Sequence, residues 1–168
     1  MRILSTLTQV FQMTDDVWAR HANPWSVWTR FLCLPLLALA IWARVWIGVY
    51  AWVPILLLLF WIWLNPRAFP PPKTTNHWAS KAVLGERIWL AHPKEELPPH
   101  HQTAIAVINT VTMAGFLLCL YGLYALEFWA TLTGLLVTII GKSWFLDRMV
   151  WLHQELRTTR KAYQSWER

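Results

Sequence analysis

The chain has 168 residues, 56% of them hydrophobic, with 14 Trp and a formal net charge of +6. A soluble domain of this length carries less apolar character, so a water-soluble globular fold is set aside in favour of a membrane protein. The positive charge needs no nucleic acid as partner, because every Lys and Arg except Arg44 and Lys142 lies outside two apolar blocks, 31–64 and 103–146, where it meets anionic headgroups.

The first segment, 1–24, carries Ile3, Leu7, Val10, Thr14 and Val17 at alternating spacings of four and three, widened by Leu4, Phe11 and Trp18. That pattern predicts an amphipathic helix on the membrane surface. Thr14 before Asp15 and Asp16 is equally an N-cap that starts a second short helix.

Block 31–64 as one helix would run to about 50 Å, against a bilayer core of about 30 Å, so it must fold back. Arg44, Gly48 and Pro54 interrupt the apolar run and place the reversal between Arg44 and Trp52, making 25–64 the first hairpin. The loop 65–102 is proline-rich at both ends. Between them Asn76 is a candidate cap, and Trp78 and Trp89, about three turns apart, predict an interfacial helix anchored by indoles. Glu127 marks the turn of a second hairpin, 103–146.

Over 147–168 the heptad-spaced Met149, Leu152, Leu156, Thr159, Tyr163 and Trp166, led by Phe145, predict a C-terminal helix projecting into the cytoplasm. Its stripe packs on the chain's own N-terminal helix or the membrane, or else contacts a protein partner or a second copy. The fold class is therefore all-α: one membrane domain of four transmembrane helices as two hairpins, with amphipathic N-terminal, central-loop and C-terminal helices.

Cation placement orients it. Fourteen of the fifteen Lys and Arg residues fall on one side and only Arg44 on the other, so both termini and the central loop are expected in the cytoplasm. The first long apolar run begins only at Phe31 after a mixed polar segment, so no cleaved signal peptide is expected. Cys33 and Cys119 lie in apolar segments without a Cys-x-x-Cys pair and read as packing residues.

The residues capable of chemistry collect on the same cytoplasmic face. Arg30, Arg67, Lys142 and Arg148, at helix ends, are candidates to hold a lipid phosphate or other anion. His77, Glu86, His92, His100 and His101 are the candidate metal ligands, although no His-x-x-x-His or His-Glu-x-x-His pattern occurs and solvated loop histidines are the competing reading. Glu86 and Asp147 are the candidate acid/base groups, with charge neutralisation at the membrane boundary as the plainer role for Asp147 and Lys142. Ser143, Asp147 and His153 are excluded as a triad, because a six-residue step turns Asp147 and His153 to different helix faces. No particular cofactor is implied. The run from His21 to Arg30, and Asn65-Pro66-Arg67, read mainly as helix capping.

Those two runs, together with Val83-Leu84-Gly85-Glu86-Arg87 and Asp147-Arg148-Met149-Val150-Trp151, resemble an uncharacterised family of small bacterial multi-pass membrane proteins. The resemblance spreads over most of the chain and implies a bacterial inner-membrane setting without implying an activity. The functional expectation is an accessory or scaffold protein whose partners are membrane lipids. The alternative is a membrane enzyme, metal-dependent or not, acting on a lipid-like substrate.

Overall fold

Thr14 opens the first helix, α1 (Asp15–His21): its Oγ1 accepts from the Val17 amide, and Asp15 and Asp16 complement the helix dipole in the first turn. The computed structural model describes residues 13–93, 96–159 and 161–167. The stripe expected over Ile3, Leu4, Leu7, Val10 and Phe11 lies outside the described residues, and the Thr14 cap realises the alternative of a new helix at this point.

Asn23 caps α2 (Pro24–Trp42) by accepting from the Trp25 amide, with Pro24 in the first position, where a missing N–H costs nothing. The chain then reverses through a short helix, α3 (Arg44–Ile47), and a 3-10 turn, Gly48–Ala51, in which Gly48 takes a φ of +57°. It returns as α4 (Trp52–Ala68). Asn65, near the end of α4, hydrogen-bonds Ser26 and Thr29 near the start of α2, so the two helices run antiparallel. The 45-residue apolar stretch Pro24–Ala68 is thus a hairpin. Helix α4 continues past Asn65 and Pro66 to Ala68, beyond the expected exit, since one proline removes only one ladder donor near a helix end.

Helix α5 (Trp78–Ala91) starts after His77, not at Asn76, whose amide instead donates to Thr74 Oγ1 in a local turn. Its indoles turn inward onto the protein. Trp78 stacks on Trp28 at 5.9 Å and donates from Nε1 to Asp147 at 3.1 Å, and Trp89 packs against the cluster around Ile88. The expected bilayer-anchoring face is therefore spent on packing with α2 and α7.

The second hairpin pairs α6 (Pro99–Ala125) with α7 (Phe128–Leu156) around Leu126, which adopts a left-handed conformation with φ 58°, and Glu127. Small residues set its register. A side chain at Gly134 would meet the Cys119 amide at 2.2 Å, one at Gly122 the Thr131 amide at 2.3 Å, and one at Gly141 the Thr112 hydroxyl at 2.2 Å, so the backbones approach closely along the pair. At roughly 40 Å each, these helices outrun a bilayer core of about 30 Å. Their ends remote from Glu127 pack with α5 around Ile88, Ile105, Met149 and Leu152.

The C-terminal helix does not project. Helix α7 ends at Leu156, and the chain folds back into α8 (Lys161–Gln164). This buries Tyr163, whose hydroxyl donates to His92 Nε2 at 2.9 Å, and lays Trp166 under the Arg87 guanidinium at 3.8 Å. One buried and one half-buried aromatic contact outweigh one continued helical turn, and the stripe expected for a partner is largely taken up inside the chain.

Pro24–Ala68, Pro99–Ala125 and Phe128–Leu156 are each long and apolar enough to cross a membrane, and only 6% of the most apolar part of the first is buried within the protein. Leu39, Leu57, Leu117 and Ile140 face outward. Water would meet an apolar surface too large for a soluble monomer.

Candidate functional site

Where α1 turns into α2, the segment from His21 to Arg30 builds a directed hydrogen-bond chain. Arg30 can only donate, so its Nη1, 2.8 Å from His21 Nε2, fixes that nitrogen as the acceptor and places the imidazole proton on Nδ1. Nδ1 then donates to Ser26 Oγ at 2.9 Å, Ser26 donates to Asn65 Oδ1 at 2.7 Å, and Asn65 Nδ2 donates to Thr29 Oγ1 at 2.7 Å. Thr29 closes the chain on the Trp25 carbonyl at 2.6 Å. His21, Ser26 and Asn65 are buried, so each polar atom depends on its neighbour. Burial, then the Arg30 charge, push the His21 pKa down to about 3, and His21 is neutral.

His21 and Arg30, at the head of this chain, line a cavity of about 310 Å³ between α2, α4, α6 and α7, floored by α5. Its polar end holds His21, Arg30, Glu86 and Lys142, and the rest is largely apolar, with Leu34, Leu37, Ile62 and Ile139 among its walls beside Thr112 and Thr138. Burial raises the Glu86 pKa, but the positive charges of Lys142 and Arg30 outweigh it and hold the carboxyl below its ordinary value, hence ionised. Lys142 Nζ stands 3.9 Å from Glu86 Oε1, an ion pair without a close hydrogen bond. With Arg30 and Lys142 positive, Glu86 negative and His21 neutral, the polar end carries one net positive charge.

Of the four candidate anion-binding residues, Arg30 and Lys142 line this cavity and the other two do not. Arg67 lies over the Trp63 ring and donates to the Trp63 carbonyl at 2.9 Å, and Arg148 lies over Trp151. Of the candidate acid/base groups, Glu86 faces the cavity, whereas Asp147 is exposed and accepts from Trp78.

The candidate metal ligands divide likewise. His77 is exposed ahead of α5, Glu86 is in the cavity, and His92 accepts from Tyr163 while donating from Nδ1 to the Ile88 carbonyl at 3.0 Å. His100 and His101 come together on Glu155, near the end of α7, which sequence reasoning did not single out. The signal was the antiparallel pairing of α6 and α7, which carries the first turn of one to the last turns of the other.

Sequence reasoning placed Arg44 at the first reversal but not the partners it holds there. At the opposite end of the bundle its guanidinium donates to the Leu123 and Tyr124 carbonyls, the latter at 3.1 Å, and so caps the last turn of α6 and ties the two hairpins together.

No curated protein and no solved structure matches the chain. A family model does match, over residues 2–167, and the chain belongs to that family of unknown function, DUF6653.

Proposed function

We propose that the protein is a multi-pass inner-membrane accessory protein that holds the anionic headgroup of a membrane amphiphile in the cavity between its hairpins. The observation that carries this reading is the cavity's own polarity: Arg30 and Lys142 at one end, Leu34, Leu37, Ile62 and Ile139 along the rest. A headgroup with one negative charge would neutralise the net charge of the polar end while its chain lay against the apolar walls, and the volume is at the lower bound of ordinary ligand sites, about 300 Å³. Lys142 lies about 21 Å along α7 from its first residue, inside the far edge of a hydrocarbon core of about 30 Å, and its long side chain can extend toward the headgroups from there. The clustering of cations at this end favours a cytoplasmic orientation for it.

Binding is favoured over acid–base catalysis by the state of the two groups best placed for it. A catalytic pKa works best near the operating pH, but His21 is held neutral at about 3 with both ring nitrogens engaged, and Glu86 is held below the ordinary carboxylate value. Neither is poised to exchange a proton at neutrality.

The test is native mass spectrometry of the full chain purified in a mild detergent. One anionic lipid should stay bound to the wild type and to Arg148→Gln, and be lost from Lys142→Gln. Retention unchanged in Lys142→Gln, or no lipid retained by the wild type, would overturn the reading.

A further inference from the structure

We propose that His100, His101 and Glu155 form a binding site for a divalent first-row transition ion of the Zn2+ type, at the end of the α6–α7 pair remote from Glu127. The site is separate from the cavity and does not depend on its occupant. His100 Nε2 and His101 Nε2 lie 3.2 and 3.0 Å from the same oxygen, Glu155 Oε2. All three ligating atoms fall within 4.8 Å of one another. Bonds of about 2.1 Å to a common ion would set neighbouring ligand atoms about 3.4 Å apart in a tetrahedron and about 3.0 Å apart in an octahedron, so small side-chain adjustments suffice.

The donor set selects the ion. Two imidazole nitrogens with one carboxylate oxygen suit borderline transition ions, whereas Ca2+ and Mg2+ take oxygen ligands. A structural hydrogen bond to Glu155 needs only one imidazole. Two rings with centroids 4.4 Å apart would repel each other if both were protonated, whereas a metal takes both in the neutral form.

The scaffold is rigid where rigidity helps. Pro98 and Pro99 lead into the first turn of α6, which fixes the histidines, and His101 is fully buried. Glu155 descends from α7, the partner with which α6 packs most extensively. His100 and Glu155 are 57% and 45% exposed, which leaves room for water or a further ligand to complete the coordination. On binding, the two N–H···O bonds give way to two nitrogen–metal bonds and one oxygen–metal bond, and each imidazole proton moves from Nε2 to Nδ1.

The experiment uses the full chain without a polyhistidine tag, in detergent, titrated with Zn2+ and with Co2+. One equivalent of Zn2+ should be held at micromolar free metal, and Co2+ should give the visible absorption of a nitrogen- and oxygen-ligated ion. Glu155→Gln, at an exposed position where the amide oxygen still accepts from both rings, should weaken Zn2+ at least tenfold, as should His100→Ala, while His77→Ala should leave it unchanged. Failure of the wild type to hold an equivalent of Zn2+, or Zn2+ binding equally tight in Glu155→Gln and His100→Ala, would overturn the proposal.

Discussion

Arg30 donates to His21 Nε2 across 2.8 Å, and that one bond sets the tautomer of a buried imidazole on which Ser26 and, through it, Asn65 depend. The consequence is a measurable acid sensitivity. His21 titrates at about 3 in the fold and at 6.5 in the unfolded chain, so between those values the unfolded state binds the extra proton. Stability from this group is complete above pH 6.5 and is lost as the pH falls toward 3.

At pH 5 the loss amounts to about 2 kcal/mol relative to pH 7.5. Thermal unfolding in detergent across this range should show it in the wild type. It should be much reduced in His21→Gln, which keeps one acceptor and one donor but cannot be protonated. Equal slopes in the two proteins would place the acid sensitivity elsewhere.

The far end of the bundle offers a second check. Arg44 reaches the Leu123 and Tyr124 carbonyls from the turn of the first hairpin. Removing it in Arg44→Ala frees two terminal acceptors and should cost about 1 kcal/mol. Hydrogen exchange should rise at the end of α6 while the cavity end stays protected. Arg44→Lys should fall between, because an ammonium lacks the planar fork. Uniform exchange along the bundle in Arg44→Ala would contradict a local tie.

Glycines of two kinds should answer differently to the same change. Gly134→Ala places a methyl 2.2 Å from the Cys119 amide, against backbone that cannot yield without separating α6 from α7. A loss of about 3 kcal/mol or more, or failure to accumulate in the membrane, is expected. Gly48→Ala meets open space and is opposed only by its backbone, φ +57° with ψ −130°, a glycine-favouring conformation outside the left-handed helical region, at about 2 kcal/mol. Thermal unfolding of the two variants side by side measures the contrast, and equal effects would show that the close approach does not hold the second hairpin.

The two hairpins were legible because length and charge constrain them: mainly apolar blocks of 34 and 44 residues, 31–64 and 103–146, are too long for one crossing and are broken where Arg44, Gly48 and Glu127 stand. The site was legible only in part. Arg30 and Lys142 were singled out as cations near helix ends, but their meeting at one cavity depends on how the hairpins dock, which no periodicity encodes. The stripe Thr112, Gly115, Cys119 and Gly122, matched by Thr131, Gly134, Thr138 and Gly141, was readable and would have fixed the α6–α7 register. That register carries His101 to the neighbourhood of Leu152, about one turn from Glu155, so the missing third ligand was within reach. The backward fold after Leu156 was not, because it depends on His92 and Arg87 in a different element.

The headgroup reading is tested most directly by titrating two single-chain amphiphiles of equal length, dodecyl phosphate and dodecylphosphocholine, into the full chain in a neutral detergent. The phosphate should bind at least tenfold more tightly, and Lys142→Gln should erase that preference while leaving the phosphocholine affinity unchanged. Equal affinity for both headgroups in the wild type, or a preference untouched by Lys142→Gln, would contradict it.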